Sequence, residues 1–318
     1  MSFLTFFDVC SAIPILLAIG VIFVNGFTDA PNAIASAVCS DCLEMKKACT
    51  LCAIFNFLGV CTISLISTSV AKNIFALADF GECAVSATGA CFLTIIIFGL
   101  ISWYFGMPSS ESHALVASIS GATLASVGYM PNIRLFFEII FYMIMSCACV
   151  FCLSYILSKL FPKNLNYKNA EIAACLATSY MHGAQDGQKF IGILVFLFGV
   201  NSSLKAPPVL ILLVSIAMGL GTLLGGKRII KSLGQDLVKL DTKRAFVSDI
   251  SSSVCMLICS LFGLPVSTGN IKSCSIIGVG YAEKDKINKK TAISIIAVSI
   301  ITFPVCFALG YILTLIFK

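Results

Sequence analysis

Long apolar runs separated by short polar clusters dominate the pattern of this chain. The runs cover Ala12–Val38, Ala48–Ala71, Cys83–Ile101, His113–Tyr129, Ile133–Leu160, Ala170–Val200, Pro207–Gly225, Ala245–Gly263, Ile271–Ala282 and Thr291–Phe317. A stretch of about 20 apolar residues can cross the hydrocarbon core as a helix. The pattern therefore predicts an all-α polytopic membrane protein. Two runs are interrupted at depth, by Asn25-Gly26-Phe27-Thr28-Asp29-Ala30-Pro31-Asn32 and by His182-Gly183-Ala184-Gln185-Asp186-Gly187-Gln188-Lys189. Each interruption predicts a broken helix. Cys83–Tyr129 and Ala245–Ala282 contain Gly/Pro/Ser interruptions that predict either two spans or a helical hairpin dipping into the membrane. Both options return the chain to the side it left.

The interruptions recur at a fixed spacing. Asp29 and Asp186 are 157 residues apart, and so are Pro108 and Pro265. The chain thus divides into two repeats, 1–160 and 161–318, with a basic loop at 226–244 in the second. Composition agrees with membrane residence: 58% of residues are apolar, 11% are charged, and the mean hydropathy is +1.01. The first run lacks a basic leader and reads as a span, not a cleavable signal.

Charge then orients the loops. With the N-terminus outside, fifteen Lys and Arg fall on the cytoplasmic side, and only Lys72, Arg134, Lys205 and Lys318 on the other. Lys189 and Lys272 remain at membrane depth. The loop Lys72–Glu82 has two acidic residues and one basic, whereas its mate lies in the strongly basic loop Lys227–Arg244. Opposite bias in equivalent loops predicts inverted-topology repeats, which in secondary transporters hold a substrate near the midplane between discontinuous helices. The net charge of +6 forms no stripe interleaved with exposed aromatics, which argues against a nucleic-acid partner.

Sixteen cysteines include Cys39, Cys42, Cys49 and Cys52, spaced like a zinc site. They fall at the ends of hydrophobic helices, so burial explains them better than metal. Gly221–Arg228 resembles a phosphate-binding P-loop, but Arg228 stands where a Ser or Thr must hold magnesium.

The polar motifs carry the chemistry. Pro31 can open a helix at its first position, and Asp29 can cap it or hold a ligand. Downstream, Gly106-Met107-Pro108-Ser109-Ser110-Glu111-Ser112-His113 is matched by Gly263-Leu264-Pro265-Val266-Ser267-Thr268-Gly269-Asn270. Hydroxyls and free backbone N–H groups are neutral donors that replace the water shell of an oxyanion. An anion beside Asp29 and Asp186 is repelled unless sodium ions or protons load with it. Lys189 stands 157 residues after Asn32 and either supplies fixed positive charge or pairs with Asp186. His113, His182 and Glu111 are candidate proton carriers. Asp249 either carries protons or lines the approach. A membrane-embedded lipid pyrophosphate phosphatase is the rival of another class. It needs arginine or a divalent metal, and no arginine lies in these motifs.

The four motifs, in order across nearly the whole chain, resemble the inorganic phosphate transporter (PiT) family. The resemblance implies an inverted-repeat symporter, commonly dimeric, that imports phosphate with sodium or protons across a bacterial-type plasma membrane. It needs no cofactor beyond the coupling ion and is not an enzyme. It places Asp29, Asn32, Asp186 and Gln185 at the cation. It places Ser109, Ser110, Ser112, Ser267, Thr268, Asp29, Asp186 and Lys189 at the substrate, taken as free phosphate or as a metal–phosphate complex. Gln185, Lys189 and Gly269-Asn270 depart from the commonest family pattern, and Gln188-Lys189 points toward proton coupling. A sulfate permease of the same fold is the nearest alternative.

Overall fold

The computed structural model describes residues 9–67, 69–107, 109–130, 132–197, 207–224, 229–230 and 237–318. Pro108, Lys205 and most of the 226–236 stretch lie outside the described residues. The described chain is helical: α1 (Val9–Thr28), α2 (Pro31–Cys39), α3 (Met45–Ile66), α4 (Ser69–Leu77), α5 (Ala84–Tyr104), α6 (Glu111–Val127), α7 (Ile133–Leu160), α8 (Lys168–Leu197), α9 (Pro208–Leu224), α10 (Thr242–Leu261), α11 (Thr268–Ala282) and α12 (Lys289–Phe317). Among the described residues, six segments are long and apolar enough to cross a membrane: Pro14–Cys39, Met45–Ile63, Gly81–Tyr104, Ile133–Leu160, Thr242–Leu261 and Lys289–Phe317. The protein is a multi-pass membrane protein, with fewer full-length apolar spans among the described residues than the ten runs read from sequence.

The two interruptions behave differently. Between α1 and α2 the break is one tight turn, in which Asn32 N donates to Asp29 O and Ala33 N to Ala30 O, both at 3.0 Å. Pro31 has no N–H to continue the ladder, and Ala30 caps α2 with its backbone alone. Asp29 is therefore not the cap. The expected break at His182–Lys189 is absent, because α8 runs continuously through Gly183, Asp186 and Gly187. Those glycines lower helix propensity but keep their N–H groups, and no proline lies there to remove one.

Cys83–Tyr129 and Ala245–Ala282 fold as hairpins with matching tips. At the end of α5, Gly106 (φ 66°) lets Met107 N reach Ser102 O and Gly106 N reach Trp103 O. Gly263 (φ 71°) does the same after α10, through Leu264 N to Cys259 O and Gly263 N to Ser260 O. This paired bonding ends a helix by a left-handed residue. Ser110 and Ser267 then cap α6 and α11 by accepting from His113 N and Asn270 N. Helices of 17 and 15 residues rise about 26 and 23 Å, short of the roughly 30 Å hydrocarbon core.

Packing repeats at the same offset. α1 lies on α9 as α8 lies on α3, and α6 lies on α12 as α11 lies on α7. The repeats therefore interlock, each donating a helix to the other's partner. The loops collect at two ends. At one end Lys243 Nζ reaches Ser158 O, Arg244 pairs with Asp285, and Asn288 N donates to Leu237 O. At the other, Asn132 Nδ2 donates to Ala76 O and Lys318 Nζ to Ser126 O.

Candidate functional site

Two carboxylates, one ammonium and two hairpin tips converge in the protein interior. Asp29 and Asp186 are 2% and 1% exposed, and together with His182 they present ligand atoms within 4.8 Å of one another. Each carboxylate is held by the opposite repeat. Thr268 Oγ1, at the start of α11, donates to Asp29 Oδ2 at 3.1 Å. Asn25 Nδ2, on α1, donates to Asp186 Oδ2 at 2.9 Å. Asn32 Nδ2 also donates to Asp29 Oδ1.

Lys189 occupies the centre. Its Nζ donates to Asp186 Oδ1, Ser112 Oγ and Val266 O, each at 2.6 Å. The ammonium has three hydrogens, so all are used. Ser112 Oγ in turn donates to Val266 O at 3.1 Å, joining the two tips directly. Lys189 is thus more than the partner of Asp186: it ties both hairpins to α8.

The other expected residues surround this centre at different depths. Ser110 and Ser267 spend their oxygens as caps but keep their hydroxyl hydrogens. Ser109 is buried beside them. Thr28 Oγ1 bonds Glu111 Oε1. Gln185 Nε2 donates to Ser260 Oγ at 2.9 Å, toward the second hairpin. His182 Nδ1 meets Asn56 Oδ1 at 3.1 Å, and its Nε2 lies 3.4 Å from Asp186 Oδ2. His113 faces away, stacked on Phe303 of α12 with ring centroids 4.7 Å apart.

Several buried acceptors lack a donor: Asn25 Oδ1, Asn32 Oδ1, Gln185 Oε1 and Glu111 Oε2. Buried oxygens without donors are costly, and carbonyl-type oxygens beside two carboxylates are hard ligands that fit a small cation. Sequence reasoning passed over Asn56 and Thr222 as site residues, and read Gln188 only as a pointer to the coupling ion. Asn56 Nδ2 donates to Thr222 Oγ1 at 2.9 Å, and Gln188 Oε1 accepts from Val70 N at 3.2 Å. Asn56 and Thr222 are single polar residues inside apolar runs, which was their only signal. Cys42, Cys49 and Cys52 are buried, and no metal-holding group includes these or Cys39 among the described residues.

A family model described as "Phosphate transporter family" matches twice, over residues 25–169 and 162–310. A "Probable low-affinity inorganic phosphate transporter" of Bacillus subtilis (strain 168) is 33% identical over 323 residues, covering 95% of this chain and 97% of that protein. A protein of the same description from Rhizobium meliloti (strain 1021) is 28% identical, covering 93% and 95%. A solved structure titled "The sodium-dependent phosphate transporter" superposes with a TM-score of 0.87 at 18% identity, covering 97% of this chain and 99% of that one. The two family matches fall on the two interlocked repeats.

Proposed function

We propose, since this chain belongs to the phosphate transporter family, that it imports inorganic phosphate by symport with a cation, alternating access around the centre at Asp29, Asp186 and Lys189. The observation that carries this reading is the meeting of two capped hairpin tips across Lys189. Ser109, Ser110, Ser112, Ser267 and Thr268 supply hydroxyl donors for a tetrahedral oxyanion. Phosphate gains the Lys189 ammonium by displacing Ser112 Oγ or Val266 O.

Charge sets the coupling. Two carboxylates against one ammonium already leave negative charge in a low-dielectric site, so an entering phosphate needs protons or sodium with it. Asp29, Asn32, Asp186 and Gln185 are our cation ligands. Lys189 replaces the Asn of the first repeat with a fixed charge, and we read protons as the driving ion. Phosphate also donates a hydrogen bond to a carboxylate, which sulfate at neutral pH cannot. The basic end of the molecule is assigned to the cytoplasm of a bacterial-type plasma membrane, with the N-terminus outside.

The test is uptake of labelled phosphate by the reconstituted protein, with sodium and pH gradients imposed separately. Accumulation under the pH gradient alone is the expected result. Accumulation that requires sodium overturns proton coupling. Uptake undiminished by excess unlabelled phosphate, but blocked by sulfate, overturns the substrate.

A further inference from the structure

A second group of buried charges lies around the first turn of the same helix, toward the basic end. Glu171 is on the first turn of α8, Asp249 on α10 and Lys272 on α11, and all three are 0–1% exposed. Lys272 Nζ is ion-paired with Asp249 Oδ1. Thr178 Oγ1 sits 3.0 Å from the backbone oxygen of Asp249, locking α8 to α10. Glu171 lies in the electrostatic reach of Lys272, yet both its oxygens lack a partner, as does Asp249 Oδ2. The residues 157 earlier are Pro14, Phe92 and Leu115. The group therefore belongs to one repeat only and is no part of the duplicated centre.

Two carboxyls share one ammonium here, and its one ion pair is with Asp249, while Lys272 Nζ makes no hydrogen bond to Glu171. An ionised Glu171 would be a sealed charge with no donor on either oxygen, one of the least favourable arrangements in a protein interior. The positive end of α8 offsets part of that cost, but no backbone N–H reaches the carboxyl. The other titratable groups that face it are the thiols of Cys42 and Cys175, and Cys39 borders Lys272. Cys175 Sγ is itself directed to Ala33 O at 3.6 Å. A sodium ion wants several oxygens around it, which these thiols do not provide. A proton needs one.

We propose that Glu171 is a proton-binding site, filled while Lys272 rests on Asp249. When the proton leaves toward the basic end, the carboxylate competes with Asp249 for Lys272 and loosens α11 from α10. Asp186 lies 15 residues further along α8, about 22 Å away, so one continuous helix joins this site to the transport centre. That coupling role rests on the transport reading above; the proton site does not.

The experiment is infrared spectroscopy of the full chain in lipid nanodiscs at neutral pH, read in the band of neutral carboxylic acids. Wild type minus Glu171→Gln should show one such band, unaffected by sodium. In Asp249→Asn, Lys272 is released to Glu171, and the same band should vanish. Absence of the band from wild type, its removal by sodium at fixed pH, or its full survival in Asp249→Asn overturns the site. In vesicles, Glu171→Gln should lose proton-driven phosphate accumulation by at least about tenfold, whereas wild-type accumulation in that variant overturns the coupling role. A wild-type protein that moves no phosphate would sink the transport reading and leave the infrared result standing.

Discussion

Asp186 holds the site together at the scale of single residues, because it accepts from Lys189 of its own repeat and Asn25 of the other. Replacing it with Asn removes the carboxylate bonded to the Lys189 ammonium and leaves only Asp29 nearby to balance it, and breaking such a buried pair costs up to roughly 3–5 kcal/mol. Asp186→Asn should therefore lower the melting temperature as well as abolish uptake. Adding Lys189→Asn should recover much of the stability but not the transport, a double-mutant comparison read by thermal unfolding and labelled-phosphate uptake. Lys189→Asn alone restores the residue type of the first repeat and should create sodium dependence. Uptake measured against sodium at fixed pH, with unchanged ion requirements, would make Lys189 a bystander. The carboxylates and the lysine were legible in sequence because charge at membrane depth is conspicuous. Asn56 and Thr222 were not, because one amide or hydroxyl in an apolar run is ordinary, and only the fold shows that they face each other.

Elements inherit their geometry from a few residues whose role is local. Gly183 of α8 crosses α3 so closely that a Cβ would land on the backbone of Asn56, whereas at Gly187 it would meet only the side chain of Val60. Backbone cannot yield as a valine can. Gly183→Ala should cost about 1–3 kcal/mol and Gly187→Ala less, compared by thermal melting of the purified variants. Gly26, the mate of Gly183, meets the backbone of Met218 on α9 in the same way. The α1–α2 break and both hairpin tips could be read from sequence, since proline, left-handed glycine and a capping serine act within a few residues. The unbroken course of α8 could not. Its polar cluster looked like the break of the first repeat, but the missing proline leaves every N–H in place, and polar side chains alone do not end a helix.

Across the whole molecule, the two repeats hold each other's carboxylates and their loops separate by charge to opposite ends. The sequence reading sorted the loops by Lys and Arg because insertion responds to charge near each span. It gave no sign that the basic end is cross-linked by acids. Glu283, just after α11, accepts from Lys163, from Lys243 Nζ at 2.8 Å and from Ser158 Oγ at 3.0 Å, closing α7, α10 and α11 around a cavity of about 400 Å³. Burial alone would raise its pKa, but the hydrogen bonds from Lys163, Lys243 and Ser158 outweigh it and hold the carboxyl at about 2. An unfolded Glu titrates near about 4.3. The folded value is the lower, so this contribution is complete above the unfolded value and disappears as pH falls through the folded one. The cluster borders solvent, and Lys163 is exposed. We therefore assign it on the order of 2 kcal/mol, less than the full shift would give. Melting temperatures of wild type and Glu283→Gln should differ most at neutral pH and converge as the medium is acidified from about pH 5 to 2. A constant difference across that range would show that the three basic and hydroxyl partners do not hold the carboxylate in its charged form.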